Sequence, residues 1–448
     1  MRRTRIIALV VAAGLSSRAF TPLPMRGQVA QSPVPVADHH AHLRSPAIAA
    51  LWHARLPPVD LPVGLDRVVR DFERYWHNRD EAAFAGLFTA NGIMLYGDAW
   101  RRGRAAIRVA QLDSKGADLK LWAQQFEVHD SLAYVVGSYG HRTRADLADL
   151  GRFHWSLRKE RDGAWRIVAS MMSNVSPPSP SDTAGLPARA LIAQLDSVGM
   201  RGATVLSLAY QFGSPMFEVD DEYARVRAEN DWTAREAAGY PDRLVAFCSF
   251  NPTTAYALEE LERCLHTPGF SGLKLHFTSS FVDLRNPDHV ERLQRILQRA
   301  NAERFPIVVH MRTLDETYGR IDAEIFLREI LAQAPDVPVQ IAHLAGWGGY
   351  DPDTEQAFSV FADAIASGDR RAANVYFDVT AVAPVTSDSL RAIAVERMRK
   401  VGLGRFVFGV DLADTASQRR ERWAQFTQLP FTEDELRAIA ANVVPYTR

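Results

Sequence analysis

The chain carries very little cysteine, only Cys248 and Cys264 in 448 residues. That excludes a small disulfide-scaffolded fold and any zinc site built from clustered thiolates. Cys248 falls on an expected strand and Cys264 on the helix after it. Sequence cannot bring their Cα atoms within bridging distance, so two buried free thiols are expected. Charge of one sign is also missing. There are 52 basic and 53 acidic residues, and no Lys/Arg block follows the first five positions, which removes the electrostatic footprint of a nucleic-acid binder. Beyond the N-terminus no uninterrupted apolar run approaches the roughly 18 residues of a membrane span. What remains is an ordinary globular composition, 47% hydrophobic and 23% charged, long enough for a barrel with a smaller companion domain.

Met1-Arg2-Arg3-Thr4-Arg5 is a positive start, followed by an apolar stretch from Ile6 to Leu15 and small residues around Ser17-Arg18-Ala19. This is the pattern of a secretory signal within residues 1–30, too short for a permanent span. With no cysteine nearby for a lipid anchor, the expectation is an exported protein, periplasmic or secreted, that is free of the membrane once cleaved.

Two periodicities divide the rest. From about residue 184 short apolar strands alternate with helical stretches, the signal of a parallel sheet with crossover helices. The strands read Ala203–Leu208, Leu244–Ser249, Gly272–His276, Pro306–His310, Pro338–His343, Val375–Val379 and Arg405–Asp411. Helical spacing is clear in 288–302, where Val290, Leu293, Ile296 and Leu297 form one stripe. An eighth strand lies upstream at Val34–His42. Eight such strands predict a (β/α)8 TIM barrel.

Residues 61–176 break this rhythm. They open with a helix carrying Val68, Val69, Phe72, Tyr75 and Trp76 on one face. They contain a hairpin in which Phe153, Trp155 and Leu157 alternate, Arg161-Asp162-Gly163 turns, and Trp165, Ile167 and Ala169 alternate back. Ser176–Pro180 reads as a linker. The segment is therefore an α+β domain inserted between residues 31–60, which hold barrel strand one and its first loop, and residues 177–448, which hold the rest of the barrel.

Chemistry concentrates at strand ends. In Asp38-His39-His40-Ala41-His42-Leu43, residues two apart share a face, so His40 and His42 point together into the barrel while His39 and Ala41 point out. His310, His343 and Asp411 each end an apolar run, and Lys274 and His276 end another. In this fold the C-terminal ends of the strands form the active-site ring. The remaining histidines, such as His77 and His289, lack that context and are read as structural. Two or three imidazoles with one carboxylate leave an open position on a divalent ion, as catalytic rather than structural sites do. Such an ion lowers the pKa of water to roughly 7. Arg312, two residues past His310, is either a substrate-carboxylate ligand or a surface arginine.

The inserted segment resembles the SnoaL-like, nuclear-transport-factor-type cones through Asn78-Arg79-Asp80, Trp100-Arg101-Arg102-Gly103 and Asp162-Gly163-Ala164-Trp165. Such cones serve as enzymes, as binding pockets or as homodimer interfaces. The barrel resembles the amidohydrolase-related family of the amidohydrolase superfamily. That resemblance rests on the strand-one His-x-His, Gly272-Leu273-Lys274-Leu275-His276, His310, Ala342-His343-Leu344 and Phe408-Gly409-Val410-Asp411. It implies that His40, His42, His310 and Asp411 hold one Zn²⁺-like ion and that His343 serves the reaction. The same resemblance implies that Asp411 takes the proton and His343 polarises the scissile carbonyl. In binuclear relatives a carboxylated strand-four lysine, here Lys274, bridges two metals, while in mononuclear ones it binds substrate or packs. His276 belongs to the substrate or to a supporting layer. Strand eight commonly ends Gly-Ser-Asp in the family, whereas here the neighbour of Asp411 is Val410.

The implied activity is hydrolysis of an amide, ester or lactone bond in a small organic substrate. Non-oxidative decarboxylation in the same cage and a non-catalytic binding protein are the alternatives, and no motif names the substrate. Both ends of the inserted segment leave from a strand-to-helix loop, so the cone is expected at the catalytic face. One expectation is checked directly: mass spectrometry of protein from its native host should find the first residues removed, and an intact Met1 in a cytoplasmic fraction would contradict export.

Overall fold

The computed structural model describes residues 33–52, 57–96, 99–112, 119–141, 151–174, 185–382 and 388–447. The expected signal segment and the Ser176–Pro180 linker lie outside these residues.

Eight parallel strands follow one another around a single sheet, in the order β1 (Ala37–Ala41), β8 (Gly202–Leu206), β9 (Leu244–Ser249), β10 (Phe270–His276), β11 (Ile307–His310), β12 (Val339–Ile341), β13 (Val375–Asp378) and β14 (Phe406–Val407). The sheet closes on itself where the chain after β14 meets β1. His39 N–H donates to Phe408 O at 2.8 Å, Asp411 N–H donates to His40 O at 2.6 Å, and Ala41 bridges Asp411 in parallel. Burial on both faces explains why the strands are continuous apolar runs. Close approach of the adjacent strands β9 and β10 needs Gly272, because a Cβ there would lie 2.3 Å from the ring of its register partner Phe247. The helix Pro287–Ala302 shows how the covering layer forms. Asn286 caps it by accepting from Asp288 N–H, Pro287 fits the first turn, and Val290, Leu293, Ile296, Leu297 and Ala300 are buried against the barrel.

The inserted segment forms a separate sheet in the order β3 (Ala99–Arg102), β2 (Phe88–Tyr96), β7 (Trp165–Asn174), β6 (Gly151–Lys159), β5 (Leu132–His141) and β4 (Leu119–His129). The helix Val63–Asn78 lays Val68, Val69, Phe72 and Trp76 into a core shared with Phe84, Phe88, Phe153 and Trp155. This is the inserted α+β cone of the expected fold class. The hairpin forms as read, turning at Gly163 with φ 79°, but its alternation is interrupted. A bulge between Ser156 and Leu157 shifts the register, so past Ile167 the buried positions become Ser170 and Met172 instead of Ala169. Just past β1, Arg44 and Leu186 exchange two backbone hydrogen bonds of 3.1 and 2.7 Å, and the helix Pro46–Trp52 still packs Ile48 into the barrel core before the inserted segment begins. The stretch that carries the insertion thus starts and ends beside the C-terminal end of β1.

Two expectations are corrected. Cys248 and Cys264 form a disulfide, their Cα atoms 6.2 Å apart, because the helix Ala257–His266 returns antiparallel over the strand that precedes it. His343 and Asp411 do not end strands. They sit beyond β12 and β14 with φ of 54° and 70°, and a left-handed residue cannot continue a β ladder.

Next to Arg44, Ser45 Oγ donates to Glu229 and accepts from Ile48 N–H at 3.1 Å, starting the helix Pro46–Trp52. Burial pushes the Glu229 carboxyl up to about 7, against an ordinary 4.5. A raised acid favours the folded state while it is protonated. Its stability contribution is therefore complete below pH 4.5 and lost as pH rises through about 7. Glu229→Gln should flatten this loss, raising stability relative to the parent by at most about 3 kcal/mol at pH 8 and by little at pH 4.5. Denaturant unfolding at the two pH values reads it, and an equal effect at both would contradict the assignment.

Candidate metal centre

Seven of the eight residues singled out from sequence come together at the C-terminal mouth of the barrel. Asp411 is their hub. Its Oδ1 lies 3.2 Å from His42 Nε2 and 3.7 Å from His40 Nε2, and its Oδ2 lies 4.0 Å from His343 Nε2. The donor atoms of His40, His343 and Asp411 all fall within 4.8 Å of one another. Lys274 Nζ stands 3.5 Å from His40 Nε2. His310 stacks on His276 at 4.0 Å between ring centres, and His276 stacks in turn on Tyr210 at 4.8 Å. The eighth residue, Arg312, turns elsewhere. It donates to Asp353 at 3.0 Å and lies over the Tyr318 ring, at the start of the helix Pro352–Ala366.

The backs of the imidazoles decide how they face. His42 Nδ1 meets Leu206 O at 2.7 Å, His343 Nδ1 meets Thr380 O at 3.0 Å, and His40 Nδ1 meets Asp378 Oδ2 at 3.0 Å. A carbonyl or carboxylate can only accept, so each ring donates from Nδ1 and turns its Nε2 toward Asp411. His310 Nε2 is buried with no hydrogen-bond partner among the described residues.

Burial dominates the electrostatics. It lowers His40 to about 4, assisted by the charge of Lys274, and lowers His276 and His310 well below the usual imidazole range. It also pulls Lys274 down to about 8. Burial alone would raise the Asp411 carboxyl, but the hydrogen bond with His42 and the charges of His40, His42 and His343 outweigh it and hold Asp411 well below the ordinary range. A lowered His40, His276 and His310 beside a lowered Asp411 favour neutral rings next to an ionised carboxylate, the states a cation requires.

Sequence reasoning missed Asp378. It is fully buried and accepts from His40 Nδ1, Gln340 Nε2 at 2.9 Å and the His343 N–H at 3.0 Å, which ties two of the imidazoles to one carboxylate. The signal was available, because Asp378 ends the apolar run Val375-Tyr376-Phe377 as His310 ends its own strand. Tyr210 and Trp347 were missed as well. Both lie in loops whose course no local pattern encodes.

Residues 182–442 match the family model described as Amidohydrolase. No match was found among curated proteins. Among solved structures, 5-carboxyvanillate decarboxylase LigW from Sphingomonas paucimobilis is 16% identical, covering 59% of this chain and 84% of its own, with a TM-score of 0.42. A probable 2-pyrone-4,6-dicarboxylic acid hydrolase from Acinetobacter baumannii is 18% identical over 57% of this chain and 85% of its own, with a TM-score of 0.36. An NTF2-like protein with a cystatin-like fold from Novosphingobium aromaticivorans is 15% identical over 27% of this chain and 84% of its own, with a TM-score of 0.22. Since the matched span is more than half of its length, the chain belongs to the amidohydrolase family.

Proposed function

We propose that this protein is an exported metal-dependent hydrolase that cleaves an amide, ester or lactone bond of a small organic molecule. The observation that carries the reading is the common orientation of His40, His42 and His343, each turning Nε2 toward Asp411. The donor set fits one divalent cation. A buried imidazole nitrogen such as His310 Nε2 is costly without a partner, and a metal–nitrogen bond supplies one. His40, His42, His310 and Asp411 would hold the ion, and the compactness of the His40–His343–Asp411 trio supports His343 as a further ligand. A cation held there supplies Lewis acidity, bringing the pKa of water to near ~7 and polarising the substrate carbonyl.

The residues of the chain do the rest. Asp411, its carboxyl held well below the ordinary range, accepts a proton as water adds to the carbonyl carbon. It returns that proton to the leaving nitrogen or oxygen as the C–N or C–O bond breaks. His343, fixed through Thr380 O, keeps its Nε2 at the same carboxylate. Asp378 holds His40 from behind and acts through it. The pairing of Arg44 and Leu186, where the stretch that carries the cone starts and ends, supports a role for it in shaping access to this mouth, and the Cys248–Cys264 disulfide agrees with an oxidising compartment.

Elemental analysis of the purified protein should find close to one equivalent of Zn²⁺, Mn²⁺ or Fe²⁺. Asp378→Asn should weaken metal binding about 10- to 100-fold, as expected for a group that orients a ligand. Absence of metal, with stability unchanged by chelators, would end the reading, and two equivalents would point to a bridge at Lys274.

Asp411→Asn should fold and lose more than ~10²-fold in turnover, because an amide cannot accept the proton. The products decide the reaction: a liberated acid with its amine or alcohol is expected, and release of carbon dioxide would mean decarboxylation instead.

A further inference from the structure

Among the described residues of 33–52 and 185–447, seven large apolar side chains are exposed, from 43% to 58%: Val34, Met216, Phe281, Leu314, Ile321, Trp347 and Leu412. All but Val34 lie on one face. Met216 follows β8, Phe281 follows β10, Leu314 and Ile321 follow β11, Trp347 follows β12 and Leu412 follows Asp411 beyond β14. Each of these six is therefore in a strand-to-helix segment or the first turn of the next helix, on the side that carries the histidines. Ile321 opens the helix Arg320–Ile325, and Val34, ahead of β1, is at the opposite end. Scattered exposed apolar residues need no explanation, but six gathered at the mouth of a polar site do.

This rim is held rigidly. Ser214 Oγ donates to Ser279 O at 2.5 Å, Thr278 Oγ1 to Arg312 O at 2.6 Å, Tyr318 OH to Ala345 O at 2.6 Å, and Gly349 N–H to Ala381 O at 2.5 Å. The loops after β8, β10, β11, β12 and β13 are thus stitched each to the next. Phe281 is kept exposed in a left-handed conformation, φ 51°, which a bulky residue adopts only when its surroundings impose it. Trp347 stands edge-on to His310, 5.9 Å between ring centres, in a turn where Gly348 and Gly349 take φ of 119° and 86°.

We infer that the site selects substrates bearing a large apolar group, an alkyl chain or ring of about six carbons or more, beside the bond it cleaves, with this rim as the binding surface. The inference rests on the hydrolase reading for the bond, while the rim itself is read from geometry alone. Since Trp347 touches His310 and Leu412 adjoins Asp411, a molecule reaching the cluster lies against the rim. A stitched rim loses little freedom on binding, so apolar contact converts efficiently into affinity.

The test uses the full-length, metal-loaded protein and straight-chain carboxylates from acetate to octanoate, with binding followed by calorimetry so that no turnover is needed. Affinity should rise about two- to fourfold per added methylene. Trp347→Ala combined with Leu314→Ser should bring that increment close to onefold, and Trp347→Phe should restore most of it. In parallel, p-nitrophenyl esters of the same acids report the reaction. Rising affinity without ester, amide or lactone cleavage leaves the rim standing and removes the hydrolase. Cleavage with chain-length-independent binding removes the rim and leaves the hydrolase. If the variants instead change the sedimentation of the protein while carboxylate binding stays flat, the apolar residues join copies of the chain and the inference is wrong.

Discussion

Closure of the barrel between its first and last strands is the constraint on which the site depends. Asp38, fully buried, accepts from the His40 and Val410 N–H groups at 3.1 and 3.0 Å and from the guanidinium of Arg419, which is itself buried and bonded to Gln194. One carboxylate therefore fastens β1, the chain beyond β14 and a covering helix together. A buried ion pair of this kind is costly unless its remaining hydrogen bonds are made; Asp38 makes its own, while Nη2 of Arg419 is buried with no partner among the described residues. The seam leaves no room for a side chain at Gly409, where a Cβ would lie 2.2 Å from Thr380 Oγ1 and 2.6 Å from His40 Cβ. The same backbone bond that closes the sheet, from Asp411 N–H to His40 O, sets the hub carboxylate beside its histidines. Closing the barrel and assembling the cluster are one event.

Around that seam two carboxylates play opposite parts. Asp378 is inaccessible and spends its oxygens on Nδ1 of His40, Gln340 and two backbone N–H groups, so it orients the histidines and offers nothing to a ligand. Asp411 lies on the other side of the same imidazoles, its side chain 36% exposed and facing their Nε2 nitrogens. Its left-handed backbone, and that of His343 with its neighbours Leu344 and Ala345, lifts these groups off the strand ends into the mouth. Strain of this kind persists only where surrounding contacts over-determine it. The hydrogen bonds behind His343, from Asp378 to its N–H and from Thr380 O to its ring, provide that support.

The cone and the barrel keep separate apolar cores, one built on Phe72, Phe84, Phe153 and Trp155, the other on the strands and their covering helices. A domain with its own core can be inserted into a loop without disturbing the host, provided the stretch that carries it starts and ends close together. The paired hydrogen bonds of Arg44 and Leu186 meet that condition.

Local pattern was enough for the elements. Apolar runs bounded by turn residues gave all eight barrel strands, helical spacing gave the stripe Val290–Leu297, and period-two alternation gave the cone hairpin up to its bulge. Placement at strand ends was enough to gather His40, His42, His310, Lys274 and His276, because side-chain direction in a parallel barrel follows from position along the strand, whereas His343 and Asp411 reach the same mouth from left-handed positions beyond their strands. Contacts across the barrel were a different matter. That Asp378 sits behind His40, 338 positions away, that Cys264 returns over Cys248, and that Arg312 turns to Asp353 depend on how elements distant in the chain are brought side by side. The sequence by itself determined which chemical groups reach the mouth of the barrel. Only the tertiary structure decided which nitrogen of each imidazole faces Asp411, since that choice is made by the acceptor behind the ring, and the acceptor is supplied by another strand.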